Sequence, residues 1–72
     1  MNKQAILKKF GKHLIQLRTA KQMSQSELAK RCFKDRQVIH RYEAGHSNPT
    51  LLTLVLLATE LNISLKELLD FE

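Results

Sequence analysis

Four polar side chains with nucleic-acid chemistry lie close together in the middle of the chain: Arg36, Gln37, His40 and Arg41. At helical spacing they share one side of a helix, and Ile39 and Tyr42 face the opposite side. An arginine guanidinium can form two hydrogen bonds to guanine O6 and N7, and a glutamine amide can do the same with adenine N6 and N7. This pattern predicts a helix face that contacts DNA, with Arg36 and Gln37 as the best base readers. An ordinary solvated helix face is the alternative.

The segment in front of this helix predicts a second short helix and a tight turn. Ser24 is followed three residues later by Glu27, which is the capping-box signature of a helix start. Asp35 suits the start of the next helix, because its carboxylate can accept hydrogen bonds from first-turn amides and meets the positive end of the helix dipole. Gly45 suits its end, since glycine tolerates the left-handed backbone common there. Residues 24–45 therefore have the pattern of a helix-turn-helix.

Three further helices and no strand are predicted, so the fold class is all-α, in one domain over residues 1–72. The first helix runs from Lys3 to about Lys21, and the fourth begins after Thr50 and ends near Leu61. A second capping box at residues 64–67 opens a short fifth helix. The inward stripes of helices one and four are predicted to be Ile6, Phe10, Leu14 and Leu17, and Leu51, Leu54, Ala58 and Leu61. Gly11 is expected to weaken the first helix slightly.

Many of these positions, taken in order, resemble a known family. They are Phe10-Gly11-Lys12, Leu14, Leu17 and Arg18; residues 23–29; Ile39, residues 41–43 and Gly45; and Asn48-Pro49-Thr50, Leu51, Leu54, Ala58, Leu61, Ile63-Ser64 and Leu68. Over nearly its whole length the sequence resembles the phage repressor and Cro-like helix-turn-helix regulators, the XRE family. The resemblance implies a compact five-helix lambda-repressor-like fold. It also implies a sequence-specific transcriptional regulator, a repressor or controller protein, that reads the major groove with its third helix.

The resemblance assigns roles to residues around the reading helix. Gln25 looks like the family's phosphate-clamping glutamine at the start of the second helix, and residues 47 and 48 are candidates for the same role from the loop. His40 and Arg41 suit backbone or base contact, and Val38 suits either half-buried packing or contact with a thymine methyl group. The candidate DNA contacts are thus Gln25, Arg36, Gln37, Val38, His40, Arg41, Ser47 and Asn48.

A structural ion pair is also implied by the resemblance. In the family, an arginine at the end of the first helix often pairs with the glutamate that follows the aromatic residue of the reading helix, and Arg18 and Glu43 occupy those positions. Arginine suits this role because its planar guanidinium matches a carboxylate. Removing one partner leaves a buried charge alone, so we expect the pair to matter for stability.

The turn between helices two and three departs from the family pattern. Phe33 stands where most relatives have glycine, and Lys34 stands where an aliphatic residue is usual. A non-glycine residue held at positive φ costs on the order of 1 kcal/mol. The sequence therefore leaves the turn open: it is strained or differently shaped, and the Phe33 ring packs near Cys32 or lies exposed against a partner.

The fourth predicted helix is apolar most of the way round, because Leu52, Val55 and Leu56 add to its inward stripe. A helix that is hydrophobic on all sides needs cover from a large protein or another chain, and 72 residues cannot supply it. We therefore expect a homodimer whose interface contains Leu52, Val55, Leu56, Leu69 and Phe71. Ordinary exposed leucines are the alternative. Such a dimer requires a pseudo-palindromic operator with half-site centres about 34 to 36 Å apart.

Charge is unevenly distributed along the chain. Residues 1–41 contain eleven Lys or Arg and two acids, a net charge of +9, whereas residues 42–72 contain one Lys and five acids, a net charge of −4. A basic surface releases counterions from phosphates and so favours double-stranded DNA as a partner. One cysteine excludes an internal disulfide, and no signal peptide or long apolar span is present. We therefore expect a cytoplasmic protein with no membrane partner.

Catalysis has little support in the sequence. The histidines, at positions 13, 40 and 46, are scattered and lack cysteine or carboxylate partners at metal-ligand spacing. Cys32 falls on an inward helix face, and no phosphate-binding glycine loop or nucleophile motif is present. We therefore expect no enzyme activity, metal, cofactor or small-molecule ligand. The alternative function is an antitoxin or another protein-binding module on the same fold.

Overall fold

A computed structural model describes residues 2–72 of the chain. Its five α-helices are α1 (Lys3–Ala20), α2 (Gln25–Arg31), α3 (Arg36–Glu43), α4 (Leu51–Glu60) and α5 (Leu65–Leu68), and the described residues contain no strand. The all-α prediction is confirmed, and the predicted ends of α1 and α4 are correct to within one residue. No helix in residues 2–72 has the length and apolar character needed to cross a membrane.

Polar side chains begin most of the helices. The capping residues of α1, α2, α4 and α5 are Asn2, Ser24, Thr50 and Ser64. The side chain of each accepts a hydrogen bond from the backbone N–H three residues ahead, at 2.7 to 3.2 Å. These bonds satisfy amides that have no partner inside the helix. Asp35 precedes α3 with suitable backbone angles, but its carboxylate makes no capping hydrogen bond. The predicted carboxylate cap is therefore wrong, and Asp35 acts on α3 through its charge alone.

The first four helices all end in the same way. A residue just beyond each end takes a left-handed backbone conformation: Gln22 (φ 59°), Phe33 (φ 56°), Gly45 (φ 78°) and Asn62 (φ 58°). The N–H of the following residue then donates to the carbonyl five residues back, at 2.9 to 3.2 Å. The four pairs are Met23 to Arg18, Lys34 to Ala29, His46 to Arg41, and Ile63 to Ala58. This is the Schellman motif, which satisfies carbonyls at the helix end and turns the chain sharply.

The turn between α2 and α3 is one of these four helix ends, and Phe33 occupies the position usually held by glycine. Its φ of 56° lies in the left-handed region, so the turn keeps the usual shape and is strained. The ring is 91% exposed and therefore does not fill the gap beside Cys32. Of the arrangements that the sequence left open, the structure has the strained turn with an exposed ring.

The core lies where all five helices meet. Its buried apolar residues are Phe10, Leu14, Leu28, Ala29, Cys32, Ile39, Tyr42, Leu57, Ala58, Leu61 and Leu68. Two predicted inward positions are wrong: Leu51 is 65% exposed, and Ile6, near the start of α1, is exposed as well. The inward stripe of α4 includes Leu57, and Leu51 lies outside this stripe at the first position of the helix.

Helices α1 and α3 come into direct contact at Gly11. A Cβ at this position would lie 2.3 Å from the carbonyl oxygen of Glu43 and 2.7 Å from that of Tyr42. These are backbone atoms, which a change of side-chain rotamer cannot move. Gly11 therefore lets α1 lie directly against the end of α3, and its effect on helix propensity is secondary to this contact.

Candidate nucleic-acid interface

The outer face of α3 is polar and open to solvent. Its exposed residues are Arg36, Gln37, His40 and Arg41, and the buried residues of the opposite face are Ile39, Tyr42 and Glu43. Val38 lies half-buried against the core. The helix thus has an anchored inner face and an outer face that can enter a groove, with Arg36 and Gln37 in its first turn.

A buried ion pair anchors the inner face of α3 to α1. Arg18 donates from Nε to Glu43 Oε2 at 2.6 Å and from Nη2 to Oε1 at 3.1 Å. The two side chains are 12% and 3% exposed, so water screens their attraction little. Arg18 Nη1 also donates to the Met23 carbonyl at 2.8 Å. One guanidinium therefore holds together α1, the connection that follows it, and α3.

Gln25 extends this ion pair toward the outer face of α3. Its Nε2 donates to Glu43 Oε1 at 2.8 Å, and its Oε1 accepts from Arg36 Nη1 at 3.3 Å. Only this orientation of the amide satisfies both neighbours, because a carboxylate needs a donor and a guanidinium needs an acceptor. A continuous series of contacts thus runs from Arg18 through Glu43 and Gln25 to Arg36. Sequence reasoning missed this link, since its members come from three helices and share no local spacing.

The loop after α3 is tied to the same face. Arg41 Nε donates to Ser47 Oγ at 3.1 Å. Ser47 is half-buried, and Asn48 beside it is exposed. The hydrogen bond orients Arg41 without using the N–H groups on its two Nη atoms. The structure therefore brings Ser47 next to the outer face of α3, while Asn48 lies beside the first half of α1.

Two of the three acidic side chains in residues 24–45 are paired with arginines, and Asp35 is not. Glu43 pairs with Arg18, and Glu27 pairs with Arg31 at 2.8 Å on the exposed side of α2. Within residues 2–72 these are the ion pairs, so the arginines on the outer face of α3 carry positive charge that no carboxylate neutralises. That surface is therefore suited to an anionic partner.

Cys32 is a buried free thiol, and the histidines of the described residues belong to no metal-binding group. Burial raises the pKa of the Cys32 thiol, and the negative charge of Glu60 acts in the same direction, so the thiol stays protonated at neutral pH. No group of three or more His, Cys, Asp or Glu in residues 2–72 is placed to hold a metal ion. His13 bonds through Nε2 to the Glu67 carbonyl at 2.8 Å, which joins α1 to α5.

A second exposed surface is apolar. Leu51, Leu52 and Val55 are exposed on α4, and Leu69 is exposed just after α5. We call these four residues the helix-four patch. Leu52 is 81% exposed, which makes it the most exposed member. The other two predicted interface residues are half-buried: Leu56 packs against the core, and the Phe71 ring lies 6.0 Å from an aromatic ring of α1. The exposed part of the predicted interface is therefore narrower than the sequence indicated.

Two short helices joined by a tight turn, with a polar outer face on the second and an ion-paired inner face, define a helix-turn-helix domain. A helix-turn-helix family model matches residues 14–68. The chain belongs to the XRE family of helix-turn-helix proteins. The predicted family is thereby confirmed.

Three similar proteins illustrate this membership. The restriction-modification controller protein C.AhdI from Aeromonas hydrophila is 44% identical, with a TM-score of 0.86 over 89% of this chain and 97% of that chain. The hypothetical transcription factor NHTF from Neisseria is 26% identical, with a TM-score of 0.84 over 96% of this chain and 79% of that chain. The HTH-type transcriptional activator BcrR from Enterococcus faecalis is 32% identical over 63 residues, which are 88% of this chain and 31% of BcrR. The chain thus spans about a third of the length of this curated relative.

Proposed function

We propose that this protein regulates transcription as a homodimer that binds a pseudo-palindromic DNA operator and reads its major groove with α3. One observation carries the proposal: Arg36 and Gln37 are exposed in the first turn of a helix whose opposite face is buried and ion-paired. The first turn is the part of a recognition helix that reaches base edges in this docking mode. The likeness to C.AhdI over most of both chains favours a controller of restriction-modification genes as the type of regulator.

The residues of the interface divide into base readers and supporting contacts. Arg36 donates one N–H to Gln25 and keeps the others for guanine O6 and N7, while Gln37 offers its amide to adenine. Gln25 therefore positions Arg36 in addition to its proposed phosphate contact. Val38 would offer an apolar contact to a thymine methyl group in the major groove. The proposed contacts to the DNA backbone are His40, Arg41, Ser47 and Asn48.

The homodimer would form through the helix-four patch. The four exposed apolar side chains of the patch favour association, because covering them with another surface removes them from water and lowers the free energy. A second copy suits this surface because a two-fold axis lets the same patch cover itself. Two α3 helices then face one side of the duplex, with half-site centres about 34 to 36 Å apart.

The most exposed residue of this patch, Leu52, gives a test of the dimer. Leu52→Glu is expected to produce monomers in sedimentation experiments, because it buries an unpaired charge in the interface. Ile15→Glu is the matched control: it adds the same charge at an exposed isoleucine of α1 outside the patch and should leave the dimer intact. A Leu52→Glu variant that still sediments as a dimer would place the interface elsewhere.

Selection of binders from a random duplex library, at two salt concentrations, tests the proposed function. The wild-type protein is expected to enrich a palindromic consensus. The Arg36→Ala, Gln37→Ala double variant should lose that consensus and bind it about tenfold more weakly or worse, while keeping salt-sensitive binding to any sequence. The control is the Lys21→Ala, Gln16→Ala double variant, which removes the same kinds of group from exposed positions in and after α1.

The outcome of this selection separates the function classes. Salt-sensitive binding without an enriched sequence would replace the regulator by a non-specific DNA protein. No binding at low salt would overturn DNA recognition and favour a protein-binding module.

A further inference from the structure

An open cleft of about 450 Å³ lies between the first half of α1 and the loop that follows α3. Its lining consists of Gln4, Leu7, Lys8, Gly45 and His46. None of these residues belongs to the interface proposed above. The cleft is thus a separate feature of the surface, next to the recognition helix.

Gly45 is what brings the loop this close to α1. A Cβ on Gly45 would lie 2.9 Å from the Cα of Lys8, and its φ of 78° is a conformation that other residues rarely adopt. The loop backbone is fixed on the other side by hydrogen bonds from Gly45 and His46 to carbonyls of α3, at 3.2 and 2.9 Å. The cleft is therefore held by backbone contacts and does not depend on flexible side chains.

The lining carries positive charge and hydrogen-bond donors but no acid. Lys8, His46 and Gln4 are exposed, and Lys8 forms no ion pair within residues 2–72. A second cleft on α1 differs in this respect, because Lys9 and Lys12 line it together with two carboxylates of the chain end, from Asp70 and Glu72. Of these two clefts, the Lys8 cleft is the one that offers lysine charge without a neighbouring acid.

The cleft also lies on the right side of the molecule for DNA. His46 directly precedes Ser47, whose hydroxyl accepts the hydrogen bond from Arg41 on the outer face of α3. The positive surface thus runs from the outer face of α3, through the loop, to Lys8 on α1. A duplex seated on α3 would carry its sugar-phosphate backbone along this surface.

We infer that the cleft binds a phosphate group of the DNA backbone, with Lys8 supplying the charge and Gln4 and His46 the additional hydrogen bonds. This inference rests on the proposed function and extends it, since it gives α1 a part in holding the operator. Contacts of this kind fix the register of the protein on the duplex and carry no sequence information. The site therefore contributes equally to cognate and unrelated DNA.

The test compares Lys8→Gln with Lys9→Gln, the same charge change one residue further along the same helix. Binding of the selected duplex and of a scrambled duplex is measured as a function of salt. Lys8→Gln is expected to weaken binding of both duplexes by the same factor, on the order of 5- to 10-fold at 0.1 M salt, and to reduce the salt slope by about 1.8, which is about 0.9 for each subunit of the dimer. Lys9→Gln should change affinity by less than about twofold. Equal unfolding midpoints for the two variants exclude a folding defect.

A second measurement identifies the phosphate itself. Single methylphosphonate linkages, which lack the phosphate charge, are placed in turn along the operator. At one position in each half-site the substitution should weaken binding by the wild-type protein but not by Lys8→Gln, because that variant already lacks the contact. Equal effects of the two lysine variants, or additivity at every phosphate, would overturn the cleft site alone. Failure of the wild-type protein to bind any duplex would instead overturn the proposed function.

Discussion

Glu43→Ala is expected to lower the free energy of unfolding by about 3 kcal/mol, at the low end of the range for breaking a buried ion pair. The reason is Arg18, whose side chain is 12% exposed in the wild-type protein and would lose both of its hydrogen bonds to the carboxylate. It would keep only its bond to the Met23 carbonyl, which limits the loss. Gln25 would also lose the acceptor of its Nε2 and with it one of the two contacts that hold it beside Arg36.

Urea denaturation at one fixed protein concentration measures this loss, because the stability of a dimer depends on concentration. The matched control is Glu27→Ala, which breaks an ion pair of similar length whose side chains are both 47% exposed. That change should cost less than about 1 kcal/mol. Equal midpoints for Glu43→Ala and the wild-type protein would mean that the buried pair contributes nothing to stability.

Gly11→Ala is the second substitution for which we expect a loss of about 3 kcal/mol, the upper part of the range for an overpacked contact. Alanine is a better helix former than glycine by about 1 kcal/mol, so propensity alone predicts a gain. The added methyl group, however, would have to occupy space 2.3 Å from the Glu43 carbonyl oxygen. This steric overlap can be relieved only if α1 moves away from α3, and that movement also lengthens the Arg18–Glu43 ion pair.

Lys12→Ala is the control for this prediction, since it changes the neighbouring, exposed position of the same helix. It should alter stability by less than about 0.5 kcal/mol in the same urea experiment. A Gly11→Ala variant as stable as Lys12→Ala, or more stable, would show that the two helices can separate without cost.

The helices were predictable from sequence because the signals that start and stop them are local. The Ser24–Glu27 capping box and the apolar stripe through Phe10 and Leu14 each involve residues within one or two helical turns. They can therefore be recognised before the fold is known. Asp35 shows the limit of this reasoning: its residue type suited a cap, yet its carboxylate makes no capping bond.

The remaining errors fall where distant parts of the chain meet. From the sequence, Gly11 was interpreted as a weak point of α1. The carbonyl groups that require a glycine there belong to the last residues of α3, about thirty positions further along the chain. Leu51 was placed inward because periodicity alone does not show how far the core extends along α4. The series of contacts from Arg18 through Glu43 and Gln25 to Arg36 exists only when three helices are in place. No spacing rule within one helix contains that information.

The repeated Schellman ends bear on how fast the chain folds. Helices α1 to α4 each stop through hydrogen bonds within a single turn, three of them without a glycine, so few distant segments must find each other before local structure forms. Domains dominated by such local contacts fold in microseconds to milliseconds. Ribosomes add residues at about 5 to 20 per second, so synthesis of the chain takes several seconds. The supply of folded protein would then follow synthesis of the chain without a lag.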